Sequence, residues 1–478
     1  MPDPTRIVII GAGTGGYVAA IRAAQLGANV TLIEGAAVGG LCLNWGCIPS
    51  KSLLACAELA QKIKKAGEFG IMITGAVTYD LARMVERKNK IVAGLVKGVR
   101  TLLKTWNVEL IEGRGALVNA TTVRVVKPDG TEAILQADAI IVGTGTTAPA
   151  LPNLALDGIS IIGSREALDL TAIPDSLLIV GGGVEGCEFA SLFSALGTKV
   201  TLVEMLPRIL PTEDEEVSAL LAAELKKLGV TILVNARVEK AAVGPDGVST
   251  TLADGNTVAS ARVLVSIGRR FNTGGKTDEL GLEEAGVKLG RRGEILVNER
   301  METNVPGVYA IGDVTGKAML AHVASAQGKV AVRNILGRPA TMSYDVIPAG
   351  IFTFPEVGRV GLTEQEARQR GQGQGIEIKI GKFRPIGLGK AHASGETSGL
   401  MKIVTEAKTG RIVGVHLVGS HAADLIHEAA VAMQMGATAA TLAETIHAHP
   451  TMPEGLMEAA EDVDGMAIHL ARRKVSVA

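Results

Sequence analysis

Short apolar runs rich in β-branched residues mark the first two-thirds of the chain, and the clearest of them end in glycine. Arg6-Ile-Val-Ile-Ile has no alternating polar positions, so it predicts a strand buried on both faces. Gly11-Ala-Gly13-Thr-Gly-Gly16 follows at once. A helical stretch over 17–26 comes next, then a second strand over 29–33 that closes on Glu34. The same pattern returns at Leu177-Leu-Ile-Val-Gly181-Gly-Gly183-Val-Glu-Gly186, and its second strand closes on Glu204. Gly11 to Glu34 is 34 − 11 = 23 residues, and Gly181 to Glu204 is 204 − 181 = 23. The lead-ins also match, Leu-Gly-Ala-Asn-Val-Thr-Leu-Ile-Glu against Leu-Gly-Thr-Lys-Val-Thr-Leu-Val-Glu. Two unrelated glycine turns would not share spacing and flanks.

Other segments have plainer patterns. Residues 62–104 show helical spacing with charged faces, and 111–126, with Gly113 and Gly115, read as β-rich. Ile140-Ile-Val-Gly-Thr144-Gly145-Thr146 predicts a strand ending in small residues, and 235–265 alternate strands with turns. Beyond Tyr344 the texture changes: 350–360 and 401–418 predict strands, 424–436 and 452–462 helices.

A strand, a glycine turn and a helix place backbone N–H groups and a helix N-terminus against a pyrophosphate, and an acid at the end of the next strand holds a ribose hydroxyl. A lone G-x-G-x-x-G is weak evidence, but both copies here have their full context. The fold class is therefore α/β, with two Rossmann-like dinucleotide-binding domains and a C-terminal α+β domain. Two dinucleotides in one chain imply electron exchange between a tightly held flavin and a mobile nicotinamide.

Composition narrows this further. A chain of 478 residues exceeds one hydrophobic core, so several domains are expected. Lys plus Arg is 48 and Asp plus Glu is 49, a difference of −1, and no basic run stands out; nucleic-acid binding is disfavoured. Four cysteines in this length are not a secreted disulfide framework. Met1-Pro-Asp-Pro-Thr-Arg leads directly into the first apolar run, and no run is long enough to span a membrane. The expected location is the cytoplasm.

Two of the four cysteines stand in Gly39-Gly-Leu-Cys42-Leu-Asn-Trp45-Gly-Cys47-Ile-Pro-Ser-Lys51. On a regular helix, five residues turn roughly 500°, so the side chains diverge. A disulfide needs Cα atoms within about 7 Å, so the segment must bend, and Gly46 and Pro49 permit bending. A bond closed under constraint is easily reduced, and Lys51 favours a thiolate. The segment reads as a redox-active pair rather than two inert thiols. Cys56 and Cys187 sit in apolar surroundings and read as packing residues.

This segment closely resembles the active-site stretch of the pyridine nucleotide–disulfide oxidoreductases, and most of all the branch that oxidises dihydrolipoamide. Trp45 departs from the smaller apolar residue usual there. The resemblance spans about residues 6–471. It implies a first flavin-binding part over 1–147, a nicotinamide domain over 148–273, a central domain completing the flavin site over 274–343, and a dimerisation domain over 344–478. It assigns Gly11, Gly13, Gly16, Glu34, Gly40, Lys51, Gly115, Thr144, Gly145, Thr146, Gly312, Asp313 and Ala321 to FAD. It assigns Gly181, Gly183, Gly186, Glu204, Val238 and Gly268 to NAD. Asp313 closes Thr303-Asn-Val-Pro-Gly-Val-Tyr-Ala-Ile-Gly312-Asp313, which resembles the second flavin motif, where the acid binds the ribityl chain.

The resemblance also implies that Lys51 pairs with Glu188, whose apolar neighbours favour burial. His449, followed by Glu454, matches the family's acid–base dyad, although Met452 and Pro453 replace smaller residues. His447 and His322 read as structural. The implied reaction is oxidation of a dihydrolipoyl group through Cys42 and Cys47, with NAD as acceptor. The implied partners are a second copy and the lipoyl domains and acyltransferase core of 2-oxo acid dehydrogenase complexes, or the lipoyl protein of the glycine cleavage system. No metal is expected. A glutathione-type reductase would read NADPH through arginines where Glu204 stands. A mercuric reductase would carry further cysteines where Lys474-Val-Ser-Val-Ala478 has none. A non-catalytic flavoprotein scaffold would not need both cysteines, His449 and Glu454.

Overall fold

The computed structural model describes residues 3–149, 151, 153–274 and 279–471. The terminal Lys474-Val-Ser-Val-Ala478 lies outside them. Two parallel five-stranded sheets and one antiparallel five-stranded sheet organise the chain. In the first sheet, Arg6–Ile10 lies between Asn29–Glu34 and Ala139–Val142, with Glu109–Glu112 and Val308–Ala310 outermost. In the second, Ser176–Val180 lies between Lys199–Val203 and Arg262–Val265, with Thr231–Leu233 and Ile161–Ile162 outermost.

The repeat read from 23-residue spacings extends to whole units. Each carries a three-stranded antiparallel meander, Arg114–Asn119, Thr122–Val126 and Glu132–Gln136 in one, Val238–Gly244, Gly247–Leu252 and Thr257–Ser260 in the other. The first unit is interrupted: its sheet takes a strand at Ala139–Val142 and the next only at Val308–Ala310. The outgoing and returning chains are stitched where Thr146–Thr147 pairs antiparallel with Arg270–Phe271.

Both glycine turns are set by close backbone approach. Gly11 has φ +103° and Gly181 φ +110°, conformations that side chains resist. A Cβ at Gly16 would lie 1.8 Å from the Gly11 carbonyl oxygen, and one at Gly186 would lie 1.9 Å from that of Gly181. The middle glycine of the second turn differs: around Gly183 nothing lies within 4 Å of a Cβ. The outer glycines therefore let strand and helix meet, and the middle one leaves room for a ligand.

Ala349–Ile351, Glu356–Gly361, Ile412–Gly419, Leu400–Glu406 and Ile378–Phe383 form the third, antiparallel sheet, covered by the helices Ala422–Gln434 and Glu454–Asp462. One expectation is corrected. Residues 62–104 are not a continuous helix. The helix Cys47–Lys64 ends, a single tight turn Ala66–Phe69 follows, and a new helix runs Leu81–Thr105. Gly70 and Gly75 take φ of +74° and +111°, which no helix continues through. Asp80 starts the second helix by accepting the Arg83 N–H at 3.0 Å.

The asymmetry between the glycines makes a test. Gly186→Ala forces backbone apart and should destabilise the protein by about 1–3 kcal/mol. Gly183→Ala should leave the denaturation midpoint unchanged and weaken NAD binding. Equal midpoints for the two variants would contradict the assignment of structural and ligand-facing roles.

Candidate functional site

Cys42 lies in the helix Gly40–Trp45 and Cys47 begins the helix Cys47–Lys64. Between them, Gly46 takes φ −136° and ψ −111°, which breaks the helical path. The bend is there alone. Pro49 sits in the first turn of the second helix, where its missing N–H costs nothing; its expected share in the bend is a correction. Gly40, φ +57°, lets this segment press on the first glycine turn: a Cβ there would lie 2.7 Å from the Gly13 Cα.

Cys42 and Cys47 are free thiols within hydrogen-bonding reach. The pair shares a proton. Cys42 is drawn down from 9.0 to about 7, first by the hydrogen bond from Cys47, which outweighs burial, then by Thr14, with Lys51 adding its positive charge. Cys47 is pushed up, because it would have to ionise beside an existing thiolate and because it is buried. Thr14 was not anticipated from sequence; it starts the helix Thr14–Gln25 and reaches Cys42 only through the fold.

Lys51 and Glu188 meet. The Lys51 ammonium lies 2.8 Å from both Glu188 carboxylate oxygens. The Glu188 side chain is only 7% exposed, and it also accepts the Phe352 N–H at 3.0 Å. Lys51 Nζ stands 4.6 Å from the Phe352 ring centroid. Glu188 belongs to the helix Val184–Ala195, buried without a break from Gly186 to Ala195, so a solvated face was never open to it.

The two acids of the repeats are bound alike. Glu34 accepts the N–H of Ala12 at 2.7 Å and of Ala36 at 2.7 Å. Glu204 accepts the N–H of Gly182 at 2.7 Å and of Leu206 at 2.8 Å. Each carboxylate ties its strand end to the glycine turn and keeps lone pairs for a hydroxyl. Arg208, near Glu204 in sequence, is committed elsewhere: it donates to the Pro211 carbonyl at 3.1 Å and pairs with Glu215 at 2.7 Å.

Asp313 is held above the ordinary carboxylate range by burial, which outweighs the hydrogen bond from Thr146 Oγ1 at 3.1 Å and the charge of Arg269. Arg269 in turn donates to Thr146 Oγ1 at 2.8 Å. Thr144 donates to the Asn272 carbonyl at 2.7 Å. Gly312 donates its N–H to Gln327 at 2.6 Å, and Gln327 donates to Tyr344 at 2.9 Å. Arg269, Asn272, Gln327 and Tyr344 are additions, invisible in sequence because each partner is over 10 residues away. Ala321 opens the helix Ala321–Ile335, and Gly145 and Gly268 take positive φ with open space beside them. Gly115 faces Ile10 and Ile33, and the Val238 side chain is buried in the core, so these two offer a ligand only backbone.

His449 stands ahead of the helix Glu454–Asp462 in the C-terminal part of the chain. Its ring is 77% exposed, and Nδ1 lies 2.7 Å from Glu454. Glu454 also accepts the Thr451 N–H at 2.7 Å. Burial would raise the Glu454 carboxyl, but these hydrogen bonds outweigh it and hold the carboxyl below its usual range. Met452 is buried in the core and Pro453 precedes the helix Glu454–Asp462, so neither substitution disturbs the pair. His447 bonds Glu428 at 2.7 Å and the Thr445 carbonyl at 2.7 Å, both ring nitrogens satisfied. His322 contacts the Pro348 carbonyl at 2.8 Å. Trp45 carries the Arg165 guanidinium at 4.4 Å. Among the described residues no cluster suits a metal ion, and no helix is long and apolar enough to cross a membrane.

The profile of the family described as pyridine nucleotide-disulphide oxidoreductase matches residues 5–328, and that of the family's dimerisation domain matches residues 347–460. Among curated proteins, the dihydrolipoyl dehydrogenase of Chlamydia muridarum is 42% identical over 455 residues, 95% of this chain and 95% of its own. That of Geobacillus stearothermophilus is 42% identical over 469 residues, 98% and 97%. Among solved structures, LpdA from Mycobacterium tuberculosis superposes with TM-score 0.89 at 32% identity, covering 96% of this chain and 99% of that one. The Cu(II) complex of the HOCl-induced flavoprotein disulfide reductase RclA from Escherichia coli gives 0.84 at 29%, covering 96% and 99%.

The shared proton predicts a titration. In reduced protein, alkylation of Cys42 by iodoacetamide should rise with pH through a midpoint near 7, since the thiolate is the nucleophile. Lys51→Met should move that midpoint upward. A midpoint at the ordinary thiol value, unaffected by Lys51→Met, would mean that the pair does not share its proton.

Proposed function

The chain belongs to the pyridine nucleotide-disulphide oxidoreductase family, and on that premise we propose that it oxidises dihydrolipoamide to lipoamide and reduces NAD to NADH. The observation that carries this reading is the hydrogen-bonded Cys42–Cys47 pair at the Gly46 break, beside the Lys51–Glu188 ion pair. Relatives named dihydrolipoyl dehydrogenase match 95–98% of the chain.

FAD and NAD are the family's cofactors. The two glycine turns fit them: Gly183 faces open space, as the middle of a phosphate cradle requires, and Gly13 meets nothing nearer than 4.0 Å. The first turn with Glu34, Asp313 and the stretch Thr144–Gly145–Thr146 would hold FAD, and the second turn with Glu204 would hold NAD. Bound there, FAD supplies the two-electron carrier between the protein dithiol and NAD.

The protein's own groups do the rest. His449, its tautomer fixed by Glu454, removes a proton from one dihydrolipoyl thiol. That thiolate attacks Cys42, the Cys42–Cys47 bond breaks, and Cys47 leaves with the electron pair. The second substrate thiol, deprotonated in turn, attacks the sulfur now bound to Cys42. Lipoyl disulfide departs, and the protein keeps two reduced sulfurs. Lys51 favours the thiolate at either cysteine. Glu188 keeps that ammonium in place.

The matched dimerisation domain supports a homodimer. In our reading each site joins Cys42 and Cys47 of one protomer to His449 of the other, which agrees with the exposure of His449 on its own chain. We assign the domains to 1–147, 148–273, 274–343 and 344–478, the location to the cytoplasm, and the partners to lipoyl-bearing 2-oxo acid dehydrogenase complexes or the glycine cleavage system.

Three measurements test this. Glu204 would repel a 2′-phosphate, and Arg208 is already paired, so kcat/KM should favour NAD over NADP by at least tenfold, roughly one charge contact; parity would remove Glu204 from its role. His449→Gln should cut dihydrolipoamide oxidation by about 10²–10⁴-fold while NADH still reduces the flavin. Refolding Cys47→Ser and His449→Gln chains together should restore about a quarter of wild-type activity, because half the dimers are mixed and each has one intact site. Mixed dimers without activity would show that His449 does not serve its partner.

A further inference from the structure

A second buried charge cluster lies outside the redox site. Lys402, on the strand Leu400–Glu406 of the C-terminal sheet, is fully buried. Its ammonium contacts Asp214 at 2.9 and 3.0 Å, Glu216 at 2.8 Å and Glu364 at 2.6 Å. On the strand Glu356–Gly361, Arg359 Nε lies 3.1 Å from Glu213, which is 2% exposed. Lys382 and Arg368 complete the cluster, 2.6 Å from Glu216 and 2.8 Å from Glu364. Four carboxylates thus face four cations. Such a cluster adds little net stability over apolar packing, so its value is sought in what it positions.

What it positions is the loop that follows Glu204. Asp214 caps the helix Glu215–Lys227 by accepting the Glu216 N–H at 3.0 Å. Upstream of it, the Leu210 N–H donates to the Gly182 carbonyl at 2.7 Å, in the second glycine turn. A Cβ at Gly182 would lie 3.0 Å from both Glu204 Cβ and Ile209 Cγ2. Leu206 donates to Glu204, and Arg208 to the carbonyls of Pro211 at 3.1 Å and Glu213 at 3.3 Å. One end of residues 204–214 is therefore the acid of the second dinucleotide unit, and the other end is fastened to the C-terminal sheet.

We infer that Lys402 and Arg359 are positioning residues for the nicotinamide-nucleotide site, acting through residues 204–214 on Glu204 and the Gly181–Gly183 turn. The inference rests on the reading that NAD binds the second unit. Their ion-pair partners are Asp214, Glu216, Glu364 and Glu213, and neither Glu204 nor a cysteine is among them. Their effect is on nucleotide affinity, with flavin and dihydrolipoyl binding spared.

The test is calorimetric titration of NAD⁺ into oxidised, FAD-loaded dimer of the full chain, alongside steady-state kinetics. Lys402→Met should raise the NAD⁺ dissociation constant about tenfold, within the range of remote couplings. The FAD spectrum, the KM for dihydrolipoamide and kcat at saturating NAD should stay near wild type. Lys402→Met leaves Asp214 unpaired and can fail to fold; Asp214→Asn with Lys402→Met removes both charges, and Arg359→Met probes the second contact. Arg359→Lys should recover most of the affinity that Arg359→Met loses. Folded variants binding NAD⁺ within twofold of wild type would overturn the inference. So would parallel losses of FAD and of dihydrolipoamide binding, which mark general destabilisation. Absence of NAD⁺ binding to the wild-type dimer would instead overturn the reading of the second unit.

Discussion

The Lys51–Glu188 ion pair is the contact on which the arrangement of the redox centre depends. Lys51 comes from the helix that begins at Cys47, Glu188 from the first helix of the second Rossmann-like unit, and the Phe352 N–H from the C-terminal segment. Three separately built pieces of chain therefore meet at one carboxylate. Removing Lys51 leaves the Glu188 carboxylate buried and uncompensated, a loss of about 3–5 kcal/mol. The same carboxylate orients the ammonium that eases ionisation of the cysteines. Joining the domains and preparing the sulfurs are thus one interaction seen from two sides.

The duplicated units solve a second problem by a single device. A dinucleotide carries two phosphates and two hydroxyl-bearing sugar chains, so it is suited by unobstructed backbone donors and a nearby acid. In both units one carboxylate oxygen of the acid accepts a backbone N–H of the turn, that of Ala12 or Gly182, at 2.7 Å, and the other accepts an N–H just past the strand, that of Ala36 at 2.7 Å or Leu206 at 2.8 Å. The units differ in what surrounds them. The first is completed by distant chain, through Asp313 and the Gln327–Gly312 contact. The second leans on the C-terminal sheet through Asp214 and Lys402.

A large part of this was legible in the amino-acid order. The glycine turns, their acids and the cysteine pair are local: each needs particular residues at short spacings, because backbone approach, ribose binding and disulfide closure act over a few residues. His449 and Glu454 are also local, five residues apart and bonded at 2.7 Å. The fold class follows from the same signals, since strand, turn, helix and strand in repeat leave few alternatives.

What the sequence could not decide were contacts between segments remote in the chain. Thr14 beside Cys42, Arg269 on Thr146, Gln327 on Gly312 and Lys402 on Asp214 are ordinary polar residues until the fold gives them partners. Apolar periodicity also failed over 62–104, because it records which face is wet and not where Gly70 and Gly75 turn the chain. Pro49 was misread for a related reason: proline bends a helix interior but is at home in a first turn, and only the structure shows that Cys47 starts one. Chemistry that acts within a turn is written in the order of residues; burial, pairing and proton sharing depend on which distant groups the fold brings into contact.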